Sequence, residues 1–215
     1  MSEIVKFYNE GGWGMHLISA CLLASIGITI ERIKVLYMDS NENKDALLKG
    51  INERVMRGDV QGAIQFVSSQ NGPLARILKA GLMKANRPDK EIQAALDQAS
   101  LSEVPTIEKN TGFLAVLSNA ATLAALLGTI VGLIKTFQSV AGDVPAAKKA
   151  QLLSAGISEA MHCTAFGLGT AVPVLIAYAI LQAKTQHILE AINESVVAEI
   201  NFVLESRAAK AGNAA

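Results

Sequence analysis

The chain has 215 residues, 19 basic and 19 acidic side chains, 51% hydrophobic residues and a mean hydropathy of +0.33. Only 18% of its residues are charged, against about 25% in ordinary soluble domains, and the zero net charge offers no basic face to nucleic acid. Two cysteines, Cys21 and Cys163, make neither a disulfide framework nor a metal motif, and no HExxH, GxSxG or phosphate-loop pattern marks an enzyme or a cofactor.

Charge is missing from three whole windows. Residues 11–30, 110–134 and 160–183 contain no Asp, Glu, Lys or Arg. Roughly 20 apolar residues cross a bilayer as a helix, whereas a soluble helix averages about 12 and keeps a polar face. The expectation is an all-α membrane protein with three transmembrane helices and long helices extending into the cytoplasm.

Residues 1–34 read as an outer N-terminus and the first span, with Trp13 anchored at the outer interface. Ile18-Ser19-Ala20-Cys21 has the look of a lipoprotein cleavage box. The apolar run continues past Cys21, however, and Lys6 is outnumbered by Glu3 and Glu10, so the span is expected to stay uncleaved. Residues 35–109 read as a cytoplasmic helical loop, because 12 of the 19 basic residues fall between Glu31 and Gly112 and basic residues mark the inner side. Leu47, Leu48, Ile51 and Val55 repeat at helical spacing, as do Ile92, Leu96 and Ala99. Asn86-Arg87-Pro88-Asp89 breaks one helix and starts another, and Pro105 predicts a bend before the second span.

Residues 110–137 form the expected second span, in which Gly128 and Gly132 make a small-xxx-small pattern for close helix packing. Residues 138–152, with Lys148 and Lys149, read as a periplasmic hairpin, and residues 153–183 as the third span. Gly156, Gly167 and Gly169 thin that span for packing, and Pro173 is expected to bend it. Residues 184–215 continue as a cytoplasmic helix and tail, the helix running from about Gln151 to Arg207. Its apolar stripe is read as Ile188, Ile192, Val196, Ile200 and Val203, beside polar Glu190, Asn193, Glu194 and Asn201.

Depth follows from counting along the chain. The stretch from Lys109 to Lys135 is one residue longer than the stretch from Glu159 to Lys184. With Lys109 and Lys184 both at the inner surface, Lys135 and Glu159 therefore sit at one level near the outer mouth. Thr129 is as far from Lys109 as Thr164 is from Lys184, so two hydroxyls from antiparallel helices share a level. Lys135 is a candidate partner for Glu159. His162, one turn from Glu159, is either a proton relay or a satisfied interior histidine.

The run Ala121-Thr122-Leu123-Ala124-Ala125-Leu126-Leu127-Gly128-Thr129-Ile130-Val131-Gly132 through Phe137 resembles the second-span signature of the MotA/TolQ/ExbB proton-channel family. Gly156-Ile157-Ser158-Glu159-Ala160-Met161 to Leu168, followed by Ala171-Val172-Pro173, resembles its third span. Gly58-Asp59-Val60 and Gly72-Pro73-Leu74-Ala75-Arg76 to Leu82 are similar to its loop. Three spans match the TolQ/ExbB branch. The resemblance implies a homopentamer around a central pore lined by the second and third spans, with Thr129, Thr164 and Glu159 as proton-pathway residues. It also implies a dimeric ExbD/TolR-like single-span partner with an intramembrane aspartate, a TonB/TolA-like protein beyond it, and a place in the cell inner membrane with its lipids. Thr122 and Ala125 depart from the proline and glycine that the family usually places there.

A proton-driven motor subunit is therefore the leading expectation, and a non-conducting membrane scaffold is the alternative. A secondary transporter would need repeated broken helices, which are not visible.

Overall fold

The structure is a computed structural model. It describes residues 5, 7–8, 10–40, 44–142 and 144–212, with side chains for all of these except 39 and 204–212. Among the described residues there is no strand. Among the described residues, seven α-helices follow in order from Gly14: α1 Gly14–Ile33, α2 Lys44–Met56, α3 Val60–Ser68, α4 Pro73–Met83, α5 Asp89–Glu108, α6 Thr111–Val140 and α7 Ala146–Gly212, with a six-residue π-turn at Lys34–Asp39 after α1. Among the described residues, three stretches are long and apolar enough to cross a membrane: Gly14–Met38, Asp89–Val140 and Ala146–Val203. The charge-free window within each is its apolar heart, and α7 beyond Lys184 lies outside it, carrying Glu190, Glu194 and Glu199. The chain divides into two compact units, one of residues 1–31 and 110–180, the other of residues 32–109 and 181–215.

The first unit holds α1, α6 and the first half of α7. Its side chains are arranged the reverse of a soluble protein's. Ala121, Ala125, Cys163 and Ala171 form its centre with Ile18, while Leu123, Leu126, Leu127, Ile130, Ile134 and Phe137 of α6 all stand exposed. Lipid gives helices no hydrophobic reason to associate, so close van der Waals packing between small residues must do it. The packing here is of that kind. Cys163 Sγ fills the point where Gly14 of α1 meets Gly128 of α6, and a methyl on either glycine would lie 2.7 or 2.5 Å from that sulfur. Further along the pair, Gly167 lies against Ala125 and the Ala121 carbonyl, and Ser118 Oγ donates to the Ala171 carbonyl at 2.8 Å. In the other direction Gly132 faces Ala160, and Gly156 faces Thr136.

Other features of this unit lie away from that packing. A methyl on Gly169 would meet open space, so within one chain Gly169 packs against nothing. It lies one turn before Pro173, whose ring leaves the Gly169 carbonyl without its helical donor. Helix α7 nonetheless runs unbroken through Pro173. Helix α6 continues to Val140 and α7 begins at Ala146. Gly142 and Pro145 supply the turn, with Val144 N–H donating to the Gly142 carbonyl at 3.0 Å and Lys149 N–H to the Pro145 carbonyl at 3.0 Å.

The second unit holds α2 to α5 and the end of α7. Helix α4 is its centre, packed on α5 and α3, with α2 on α3. The local signals explain the elements. Asp59 caps α3 by accepting from Gly62 N–H at 2.7 Å. Pro73 opens α4, where its missing N–H costs nothing. Pro88 caps α5, and Asp89 and Glu91 sit in its first turn, where carboxylates favour the helix dipole. Leu47, Ile51, Val55, Ile92 and Leu96 are buried.

Pro105 lies inside α5 rather than ending it; α5 ends at Glu108, and Asn110 (φ 64°) stands before α6. The end of α5 is capped from another element. Buried Arg32 donates through Nη1 to the Ile107 carbonyl at 3.0 Å, placing a cation at the negative end of the helix. A bidentate pair joins α4 to α5, with Arg76 Nε and Nη2 at 2.7 and 2.6 Å from the two Glu103 oxygens.

The end of α7 corrects the expected stripe. Leu181, Thr185, Ile188, Ile192, Ser195, Glu199 and Val203 are buried, while Val196 and Ile200 are half-buried. Positions spaced by four drift about 40° per step around a 3.6-residue helix, so Ile188, Ile192, Val196 and Ile200 wind away from any one partner. From Leu181 to Glu199 the buried positions alternate steps of four and three, which stay on one line, and that line passes through Ser195 and Glu199.

Candidate functional site

Antiparallel packing of α6 on α7 fixes which residues share a level. Since Gly132 faces Ala160 and Gly128 faces Cys163, Thr129 must approach Thr164. Their hydroxyls are hydrogen-bonded to each other. Thr129 Oγ1 also donates to the Ala125 carbonyl at 2.9 Å, and Thr164 Oγ1 reaches the Ala160 carbonyl at 3.3 Å.

Two hydroxyls hold two protons and four lone pairs. If Thr164 donates to Thr129 and Thr129 donates to Ala125, the pair keeps unused acceptor capacity. If the direction reverses, the Ala160 carbonyl takes the other proton. The pair therefore has two complementary hydrogen-bond settings and carries no charge in either. Both threonines are half-buried in the single chain, so a group outside the chain can reach them.

Glu159 stands elsewhere on α7. Five residues turn a helix through about 140° beyond a full circle, so Glu159 and Thr164 lie on different flanks of the buried line through Ala160, Cys163 and Gly167. The Glu159 side chain is exposed and its carboxylate lies against Gly12, where a methyl would collide with Oε1. Gly12 has φ 69°, a conformation that costs other residues about 1 kcal/mol or more, so conformation and space both demand glycine there.

His162 lies on the Glu159 flank. Its Nδ1 is 2.8 Å from the Ser158 carbonyl, which can only accept, so Nδ1 carries a proton. Nε2 is 3.9 Å from Glu10 Oε2, and the Phe7 ring meets the imidazole edge-on at 4.8 Å. Tyr8 closes the neighbouring space, its hydroxyl 2.8 Å from His16 Nδ1 and its ring edge-on to Phe166. Lys135 is exposed, and among the described residues no ion pair joins it to Glu159.

The sequence-derived candidates thus separate into a joined pair, Thr129 with Thr164, and a second cluster of Glu159 and His162 with the segment before α1. Glu10, Gly12 and Gly14 complete these surroundings without being among the candidates. Gly14 carries a usable signal, since it lies near the start of the first charge-free window and is small where α1 must meet the Gly128 end of α6.

The sequence profile of the MotA/TolQ/ExbB proton channel family matches residues 69–194, which include Thr129, Glu159 and Thr164. An ExbB homologue of Methanothermobacter thermautotrophicus, described as a biopolymer transport protein, is 22% identical over 181 residues, covering 84% of this chain and 63% of that protein. The Tol-Pal system protein TolQ of Haemophilus influenzae is 28% identical over 141 residues, covering 65% of this chain and 59% of that one. TolQ of Pseudomonas aeruginosa is 29% identical over 190 residues, covering 80% and 81%. The chain spans about three fifths of the length of the first two relatives. A profile match over more than half of the chain, together with relatives named ExbB and TolQ, leads to one conclusion: the chain belongs to the MotA/TolQ/ExbB proton channel family, in its TolQ/ExbB branch.

Proposed function

We propose that this protein is the channel-forming subunit of a proton-driven motor in the cell inner membrane. Five copies surround a pore lined by α6 and α7, and a dimer of single-span ExbD/TolR-like partners with a membrane aspartate occupies it. The N-terminus lies on the periplasmic side and the C-terminus in the cytoplasm. The partner passes the motion to a TonB/TolA-like protein, and mechanical work is done at the outer envelope.

The observation that carries this reading is the hydrogen bond between Thr129 and Thr164, half-buried on two helices that pack mainly through small side chains. A partner carboxyl needs groups that solvate it both as acid and as carboxylate. Threonine donates and accepts without a charge of its own, so it does not hold the aspartate in one state. A lysine ring at this level would. Moving one charge through 100 mV releases about 2.3 kcal/mol, so several protons per cycle supply useful work. Glu159, on the other flank of α7, serves as the outer carboxylate of the pathway.

The test is proton flux into vesicles holding the protein with its co-expressed single-span partner. Thr129→Val with Thr164→Val keeps the shape of both side chains and removes both hydroxyls. Flux and envelope work are expected to fall at least tenfold while the complex stays assembled. Undiminished work by the double variant would reject the motor reading and leave the scaffold reading in its place.

A further inference from the structure

The line of buried residues along the end of α7 contains one member that does not belong in an apolar seam. Glu199 is 0% exposed, and neither of its carboxylate oxygens has a hydrogen-bond partner. The neighbouring polar member, Ser195, is also fully buried but gives its hydroxyl to the Ala191 carbonyl at 2.7 Å. It offers Glu199 nothing. Glu194, on the exposed side of the same helix, is held by Lys44 at the start of α2, at 2.5 Å. Among the described residues of α2 to α5 no charged side chain acts on Glu199. Burial alone does, and it pushes the carboxyl up from 4.5 to about 7.

An ionised carboxylate taken from water without a cation or donors costs several kcal/mol. A neutral acid in the same place costs far less. The closed seam therefore accommodates Glu199 with its proton and resists it without one. A ligand that binds one state of an equilibrium and not the other shifts that equilibrium, and here the ligand is the proton. We propose that Glu199 is a proton-binding site of the unit formed by α2 to α5 and the end of α7, and that its occupancy holds α7 closed in the seam. Acidification latches the seam, and alkalinisation frees the last turns of α7. The site lies on α7 well beyond Lys184, past the third charge-free window, so it samples the compartment into which that window opens. It stands whether or not the motor reading does.

The test is hydrogen exchange measured by mass spectrometry on the full-length protein in lipid nanodiscs, corrected for intrinsic exchange rates, at pH 6, 7 and 8. Linkage between a carboxyl at about 7 when closed and 4.5 when open makes opening roughly tenfold more frequent at pH 8 than at pH 6. Peptides covering 185–203 are expected to show that tenfold change. Glu199→Gln is expected to abolish it, and so is Glu199→Leu, which avoids leaving a buried amide unpaired. Corrected exchange in the wild type that is flat with pH would overturn the proposal. So would a pH response retained in both variants.

Discussion

Cys163 at the meeting point of three helices offers a quantitative check on how the membrane unit is held together. Gly128→Ala places a methyl 2.5 Å from Cys163 Sγ and 3.6 Å from Gly14 Cα. Comfortable separation is about 3.5–4 Å, so the backbone contact is tolerable and the sulfur contact is not. Cys163 is 0% exposed, so its sulfur cannot swing outward. Overpacking by one methyl costs about 1–3 kcal/mol, offset by about 1 kcal/mol because alanine favours helix over glycine. The net loss expected for Gly128→Ala is therefore about 0–2 kcal/mol. Cys163→Ala removes the sulfur and leaves a small void, worth about 1 kcal/mol. With the sulfur gone the new methyl has the Cβ at position 163 for a neighbour, 3.7 Å away in the present structure, which is ordinary contact. The double variant should then be at least as stable as Cys163→Ala alone, giving a favourable coupling of about 1–3 kcal/mol. Thermal unfolding of the four proteins in one detergent, read together with the size of the purified complex, measures this. Losses that simply add would refute the argument that one sulfur controls the approach of α1 to α6.

Other consequences are more local. The folded and unfolded pKa values of Glu199 imply that stability falls as pH rises from about 4.5 to 7 and is flat above; the proton is bound more tightly in the folded state across that window. At about 1.36 kcal/mol per pH unit the loss is roughly 3 kcal/mol by pH 8, so Glu199→Gln should raise the thermal midpoint at pH 8 and not at pH 5. Arg32→Gln removes the cap on α5 and is expected to cost about 1–3 kcal/mol, seen as faster hydrogen exchange at 103–108. Gly12→Ala meets two obstacles, φ 69° and the Glu159 carboxylate. Glu159→Ala in the same chain should relieve only the second, so the pair is expected to stay less stable in thermal unfolding than Glu159→Ala alone.

Level along the helix pair is legible in the sequence, and rotation about each helix is not. Two antiparallel helices joined by a tight turn share one register, so counting from Lys109 and Lys184 is enough to bring Thr129 level with Thr164, whose hydroxyls are in contact. The same counting brings Lys135 level with Glu159, yet Lys135 is exposed without an ion pair to it, and Glu159 faces Gly12. Level is set by residue number alone. Direction is set by where that number falls within the helical turn, and by which face of each helix is smallest. Gly128, Gly132, Ala160 and Gly167 mark that face once they are considered together, and a residue on any other flank must look elsewhere.

The end of α7 misleads for the opposite reason. Its apolar residues spaced by four suggest the buried line because they are apolar. The buried line follows the shorter heptad period instead and accepts Thr185, Ser195 and Glu199. Thr185 and Ser195 are tolerated there because each hydroxyl donates to the carbonyl one turn back, at 3.0 and 2.7 Å, leaving no unmet donor. Glu199 has no such local escape. A carboxylate accepts and cannot donate, and helical carbonyls one turn back only accept, so only a protonated Glu199 has a donor to offer. The buried heptad line therefore contains a position where the chain's ionisation and its packing cannot both be satisfied in water-free surroundings.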